Sequence, residues 1–169
     1  MNNRPSDEAP LDFLLLHTLL NLCITSDVKE SLDRLGFGRV HHRILFFVNV
    51  RPGQSVSALM DLMRVSHQNL RIPMQDLVRG GFIETASAEH DGRVKCLYLT
   101  KAGRKLIETL NTSQFKRIEA GFAKHSKRDV DAFLTVHLSL IDSADAVWAV
   151  QTRQNNSVLP VARKAKRSD

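Results

Sequence analysis

The strongest constraint on the fold is a double change of apolar period. From Ser55 to Val78 apolar residues recur at helical spacing, as Val56, Leu59, Met60 and Met63, then as Leu70, Met74, Leu77 and Val78. From Phe82 to Thr100 the period falls to two. The run "FIETASAEHDGRVKCLYLT" reads as strand, polar loop with Asp-Gly, and strand, with Val94, Cys96 and Tyr98 alternating against Lys95, Leu97 and Leu99. After Thr100 the helical period returns, carried by Leu106, Ile107, Leu110, Ile118 and Phe122. Side chains repeat every 3.6 residues around a helix and every two along a strand, so one pattern cannot serve the other. The order is therefore two short helices, a β-hairpin and a helix.

Local punctuation agrees with this order. Pro52 and Gly53 stop the helix that "RVHHRILFFVNV" forms, Ser55 and Ser66 are placed to cap the next two, and Gly80-Gly81 ends the second. Only "RV" separates the pair. Pro73 sits inside the second helix, where it removes a donor and leaves the Asn69 carbonyl free. That predicts a modest bend over residues 69–73. Upstream, Leu11, Leu14, Leu15, Thr18, Leu19, Leu22, Val28, Leu32 and Leu35 predict one helix over 10–35, closed by "GFG". Downstream, Ser126 and Asp129 form a capping box for one last helix carrying Val130, Phe133, Leu134, His137, Leu140, Ile141, Ala144, Val147 and Trp148. The tail 153–169 has no periodicity and is expected to be disordered.

Charge is distributed unevenly. Residues 39–105 hold eleven Arg and Lys against five Asp and Glu, whereas 1–38 and 106–152 are slightly acidic and the tail is basic. A basic centre between acidic flanks suits nucleic-acid binding by the central segment. Two short helices on a tight turn with a hairpin directly after describe a winged helix-turn-helix, whose second helix enters the major groove. Ser66 and His67 stand at the entry of that helix. Gln68 and Asn69 suit bidentate pairing with adenine, Arg71 suits guanine or phosphate, and Ile72 suits a thymine methyl. The loop "EHDGR" puts Arg93 near the hairpin tip, where it suits the narrow minor groove, with Asp91 to brace it.

Through these residues the chain resembles the MarR family of bacterial transcriptional regulators. The segment "LMDLMRVSHQNLRIPMQDLVRGGFIE" followed by "HDGRVKCLYLTKAGRKL" carries the likeness, with the hairpin signature matched by Asp91, Arg93, Leu99, Thr100, Gly103 and Arg104. The resemblance implies a mainly α fold with a small β-hairpin wing, the winged core being flanked by N- and C-terminal dimerisation helices. It divides the chain into an N-terminal arm (1–36), a DNA-binding domain (37–105), C-terminal dimerisation helices (106–152) and a basic tail (153–169). It also implies a homodimer on a pseudo-palindromic double-stranded operator, a repressor whose DNA affinity responds to a small aromatic or acidic effector.

His41, His42 and Arg43 begin the helix after "GFG", and with His17 across the arm they are the candidate effector contacts. No carboxylate or cysteine stands beside them at ligand spacing, so neither a metal nor a cofactor is expected. Cys23 lies where oxidant-sensing members carry a reactive cysteine, but no Lys, Arg or His is within three residues of it, and it reads better as a small core residue. A protein-interaction module without its own operator and a cysteine-based redox sensor are the alternative functions. No phosphate loop, H-E-x-x-H or nucleophile elbow is present, so no enzyme is expected. With a polar N-terminus, no disulfide framework and no long uninterrupted apolar run, the reading is a soluble cytoplasmic protein without membrane partners.

Overall fold

The computed structural model describes residues 7–87 and 94–155. Its elements are α1 (Ala9–Ser26), α2 (Lys29–Asp33), α3 (Arg39–Val50), α4 (Val56–Met63), α5 (His67–Arg79), β1 (Ile83–Ser87), β2 (Lys95–Leu99), α6 (Lys101–Phe122), α7 (Lys127–Leu140) and α8 (Ser143–Asn155). The helix pair, hairpin and following helix stand in the order that the period changes require. Ser55 caps α4 through the Ala58 amide and Ser66 caps α5 through the Asn69 amide. Gly81 takes a φ of 73°, the left-handed turn that ends α5. The helix α5 continues through Pro73 as one element.

The strands pair antiparallel with Ile83 opposite Leu99 and Ser87 opposite Lys95. Leu97 and Leu99 are the inward side of the β2 alternation and Tyr98 the outward side. The loop after α3 joins the hairpin as a third, shorter rung. Gly53 donates to the Leu97 carbonyl at 2.8 Å, and Leu97 donates to the Gln54 carbonyl at 3.0 Å. Gln54 is itself buried, and its side-chain amide donates to the Phe47 carbonyl at 2.8 Å.

One core holds the winged module. Ile44, Leu45 and Val48 of α3 pack with Leu59 and Met63 of α4, Leu70 and Leu77 of α5, Leu97 and Leu99 of β2, and Ile107 and Leu110 of α6. Val28 and Leu32 join them from the segment upstream.

Two expected helices are each broken in the structure. The stretch 10–35 becomes α1 and α2. Thr25 and Ser26 donate back to the carbonyls of Asn21 and Cys23, both at 2.7 Å, and so satisfy the end of α1. Asp27 then turns to Arg117 of α6 through two bonds of 2.6 Å. After this break Val28 and Leu32 reach the core, whereas α1 has no buried residue. The single last helix becomes α7 and α8. Ile141 is extended, with φ −93° and ψ 154°, and the ladder restarts when the Ala146 amide bonds the Asp142 carbonyl. The capping box of Ser126 with Asp129 forms as expected.

Helix α1 leaves Leu11, Leu14, Leu15, Leu16, Leu19, Leu20 and Leu22 exposed. Although its apolar residues are interrupted by polar ones, it is long and apolar enough by length and composition to cross a membrane. Cys23 lies on it and is exposed, not a core residue of this chain.

Candidate nucleic-acid interface

The helix α5 is set by its buried side. Leu70 and Leu77 are 1% and 0% exposed, and their spacing fixes the rotation of the helix about its axis. Ser66, His67, Gln68, Asn69, Arg71 and Ile72 consequently all lie at the surface. Ile72 is 58% exposed, an apolar side chain outside the core cluster of the described residues, amid polar groups that can donate or accept. The structure thus brings together on one accessible helical surface every α5 residue that the sequence nominated. Asp91 and Arg93 lie outside the described residues.

Two contacts lock this helix from behind. The Gly38 amide donates to His41 Nδ1 at 3.0 Å, which leaves the ring proton on Nε2, facing Asp76 Oδ2 of α5 at 3.4 Å. Phe37 stacks on the His41 ring with centroids 4.6 Å apart and meets Phe82 edge-on at 5.5 Å. Asp76 also accepts from Arg79 at 2.6 Å. Asp76 is the only carboxylate on α5, and these partners consume its charge. The exposed turns of α5 therefore present cationic and neutral groups to an approaching polyanion.

The residues Leu99, Thr100, Gly103 and Arg104 weld the hairpin to α6. Thr100 Oγ1 donates to the Gly81 carbonyl at 2.6 Å and accepts from the Gly103 amide at 3.1 Å, capping α6. Arg104 donates to the Leu99 carbonyl at 2.7 Å. A Cβ on Gly103 would stand 2.0 Å from the Phe82 carbonyl oxygen, so only glycine permits this approach. Four of the six signature residues thus form a mechanical joint that fixes the angle between wing and helix pair.

The four candidate effector contacts are not brought together. His41 and His42 are 8% and 9% exposed inside the module, and Arg43 lies on the exposed side of α3. Among the described residues the His42 Nε2 has no partner, and burial pushes its imidazole below the ordinary value of 6.5. His17 instead stacks on Phe13 at 5.6 Å and faces His137 of α7 at 6.2 Å. It lines a cleft of ≈ 360 Å³ between α1, α6 and α7, together with Asn21, Arg117, Phe122, Phe133 and His137. The Asp27 carboxylate raises the Arg117 pKa by hydrogen bonding and charge, with a minor contribution from Cys23. Sequence reasoning missed Arg117 because it lies 94 positions from Cys23 along the chain and 90 from Asp27. Among the described residues no cluster of three or more His, Cys, Asp or Glu could hold a metal ion.

A family model described as MarR family matches residues 35–94. The HTH-type transcriptional regulator PetP of Rhodobacter capsulatus is 31% identical over 120 residues, 71% of this chain and 72% of PetP. The fold is similar to that of a MarR family transcriptional regulator from Silicibacter pomeroyi, with TM-score 0.64 and 19% identity over 76% of this chain and 88% of that one. It is also similar to a mutant of MarR from E. coli solved in complex with operator DNA, with TM-score 0.60 and 14% identity over 82% of this chain and 100% of that one.

Proposed function

The chain belongs to the MarR family of transcriptional regulators, and from that membership we propose a homodimeric repressor that binds a pseudo-palindromic double-stranded DNA operator. The observation that carries the reading is the accessible row Ser66, His67, Gln68, Asn69, Arg71 and Ile72, held rigidly by Leu70, Leu77 and the His41–Asp76 link. Groups of these types at consecutive helical positions match base edges in a major groove. Asp91 and Arg93 complete the reading as the wing's contact to the adjacent minor groove. In this reading residues 37–105 bind DNA, while 1–36 and 106–152 pair the two copies. The second copy is what covers the exposed leucines of α1.

Effector control is the finer part of the reading. It is supported by the cleft between α1, α6 and α7, where apolar walls surround His17, Arg117 and His137. A ligand there would act by preferring one spacing of the two recognition helices.

Selection of bound duplexes from a random pool tests the reading. A recovered inverted repeat with half-sites about one helical turn apart is the expected result. Affinity should fall steeply with salt, because each phosphate contact releases counterions. Arg93→Ala should weaken binding at least about tenfold, the scale of one charge-assisted contact. Recovery of no common sequence, with salt-insensitive binding, would leave a protein-interaction module as the better account.

A further inference from the structure

Arg64 occupies the turn between α4 and α5 with a φ of 52°, the only non-glycine residue in the left-handed region among the described residues. A helix C-terminus in that conformation ordinarily takes glycine or asparagine. An arginine kept there points to a use for its side chain. Its guanidinium is held by two carboxylates from the far end of the chain, Asp142 Oδ2 and Asp145 Oδ2, each at 2.7 Å. These are the only side-chain hydrogen bonds, among the described residues, that tie α7 and α8 to the rest of the molecule. They fall where the last helix breaks at Ile141, and they start α8 on a course that sets Trp148 edge-on to Phe47 at 6.0 Å. Among the described residues the Trp148 Nε1 has no partner there, so this docking satisfies no hydrogen bond of that buried donor.

Resting on the DNA-binding reading above, we infer that Arg64 is a further DNA-phosphate contact and that Asp142 and Asp145 mask it. Arg64 lies two residues before Ser66, at the end of α5 that enters the groove, where a backbone phosphate is the anion within reach. Both carboxylates bond the same guanidinium nitrogen and together outweigh its single positive charge, so no net positive charge is left there for a phosphate. The two aspartates further place negative charge beside the approaching duplex, since Asp142 is 80% exposed. The mask is built to release. Ion pairs this exposed are weak and salt-labile, and the unsatisfied Trp148 donor disfavours the docked position. Undocking α8 therefore converts Arg64 from an internal partner into a DNA ligand, which couples the C-terminal helix to affinity.

The test uses the full chain and a labelled duplex of mixed sequence, titrated at several potassium chloride concentrations. Asp142→Asn with Asp145→Asn should tighten binding about threefold to tenfold and steepen the log–log salt slope by about one, the signature of one added phosphate contact. Adding Arg64→Gln to that double variant should erase the slope change and most of the gain, leaving only the relief of the aspartates' repulsion. Arg64→Gln alone should weaken binding modestly without making the salt slope steeper, because it leaves both aspartates uncompensated beside the duplex. A gain and a steeper slope that both survive Arg64→Gln in full would reduce the effect to simple repulsion and overturn the proposal. So would a double variant that binds like the wild type, while the wild type's own salt-dependent binding would leave the DNA-binding reading standing. Failure of every variant to bind duplex at low salt would remove both. Far-ultraviolet circular dichroism checks that each surface variant is folded.

Discussion

At the scale of single residues, Gly103 and His42 show two ways in which close packing limits the sequence. The Phe82 carbonyl stands where a Gly103 Cβ would have to go, 2.0 Å away. Gly103→Ala is expected to cost about 3 kcal/mol, the upper end for overpacking a tight contact. It should lower the urea midpoint and, by shifting the wing, weaken DNA binding beyond the loss of folded protein. His42 pays in proton affinity instead. Its buried imidazole, whose Nε2 meets no partner among the described residues, has a folded pKa below the unfolded value of 6.5. Below that unfolded value the unfolded chain binds a proton that the folded chain resists, so stability is present above pH 6.5 and is lost as pH falls through the folded pKa. The urea midpoint should therefore drop on acidification. His42→Leu should flatten that drop, and an unchanged profile in the variant would assign the acid lability elsewhere.

Among the elements, α5 carries a local conflict. Proline in a helix interior removes a hydrogen bond and crowds the carbonyl four residues back, yet α5 runs unbroken from His67 to Arg79. Burial of Leu70 and Leu77 on either side of Pro73, with the Asp76 link to α3, supplies the tertiary contacts that hold it helical. Pro73→Ala restores the donor to the Asn69 carbonyl and should raise stability, by up to about 3 kcal/mol. The same change should alter DNA affinity if the bend expected at 69–73 sets how residues 67–72 enter the groove. Base reading separates from phosphate contact by substitution within the element. Asn69→Ala should lower discrimination between selected and random duplexes by about 1–3 kcal/mol. An equal loss on both would make Asn69 a positioning contact.

For the whole molecule, the unburied leucines of α1 require a partner surface, and the proposed second copy provides one. Leu15→Glu, at a residue 55% exposed in one chain, should weaken self-association at least about tenfold in sedimentation velocity without unfolding the winged module. Loss of the folded module in that variant would mean that α1 stabilises the chain internally. The helix pair, hairpin and capping serines were legible in the sequence, because period and caps are local properties that neighbouring residues decide. So was the accessible row of His67, Gln68, Asn69, Arg71 and Ile72, because a helix that buries Leu70 and Leu77 turns those residues outward. What stayed illegible is long-range. At the breaks, Asp27 meets Arg117 and Asp142 meets Arg64, partners 90 and 78 residues away along the chain. The separation of His17 from His41 and His42 depends on α3 turning the latter two inward, while α1 keeps His17 beside Phe13 and His137. Local sequence thus determined which elements exist and which face each one buries. Tertiary structure decided where helices stop and which charges meet, because those outcomes follow from contacts between residues that no spacing rule brings together.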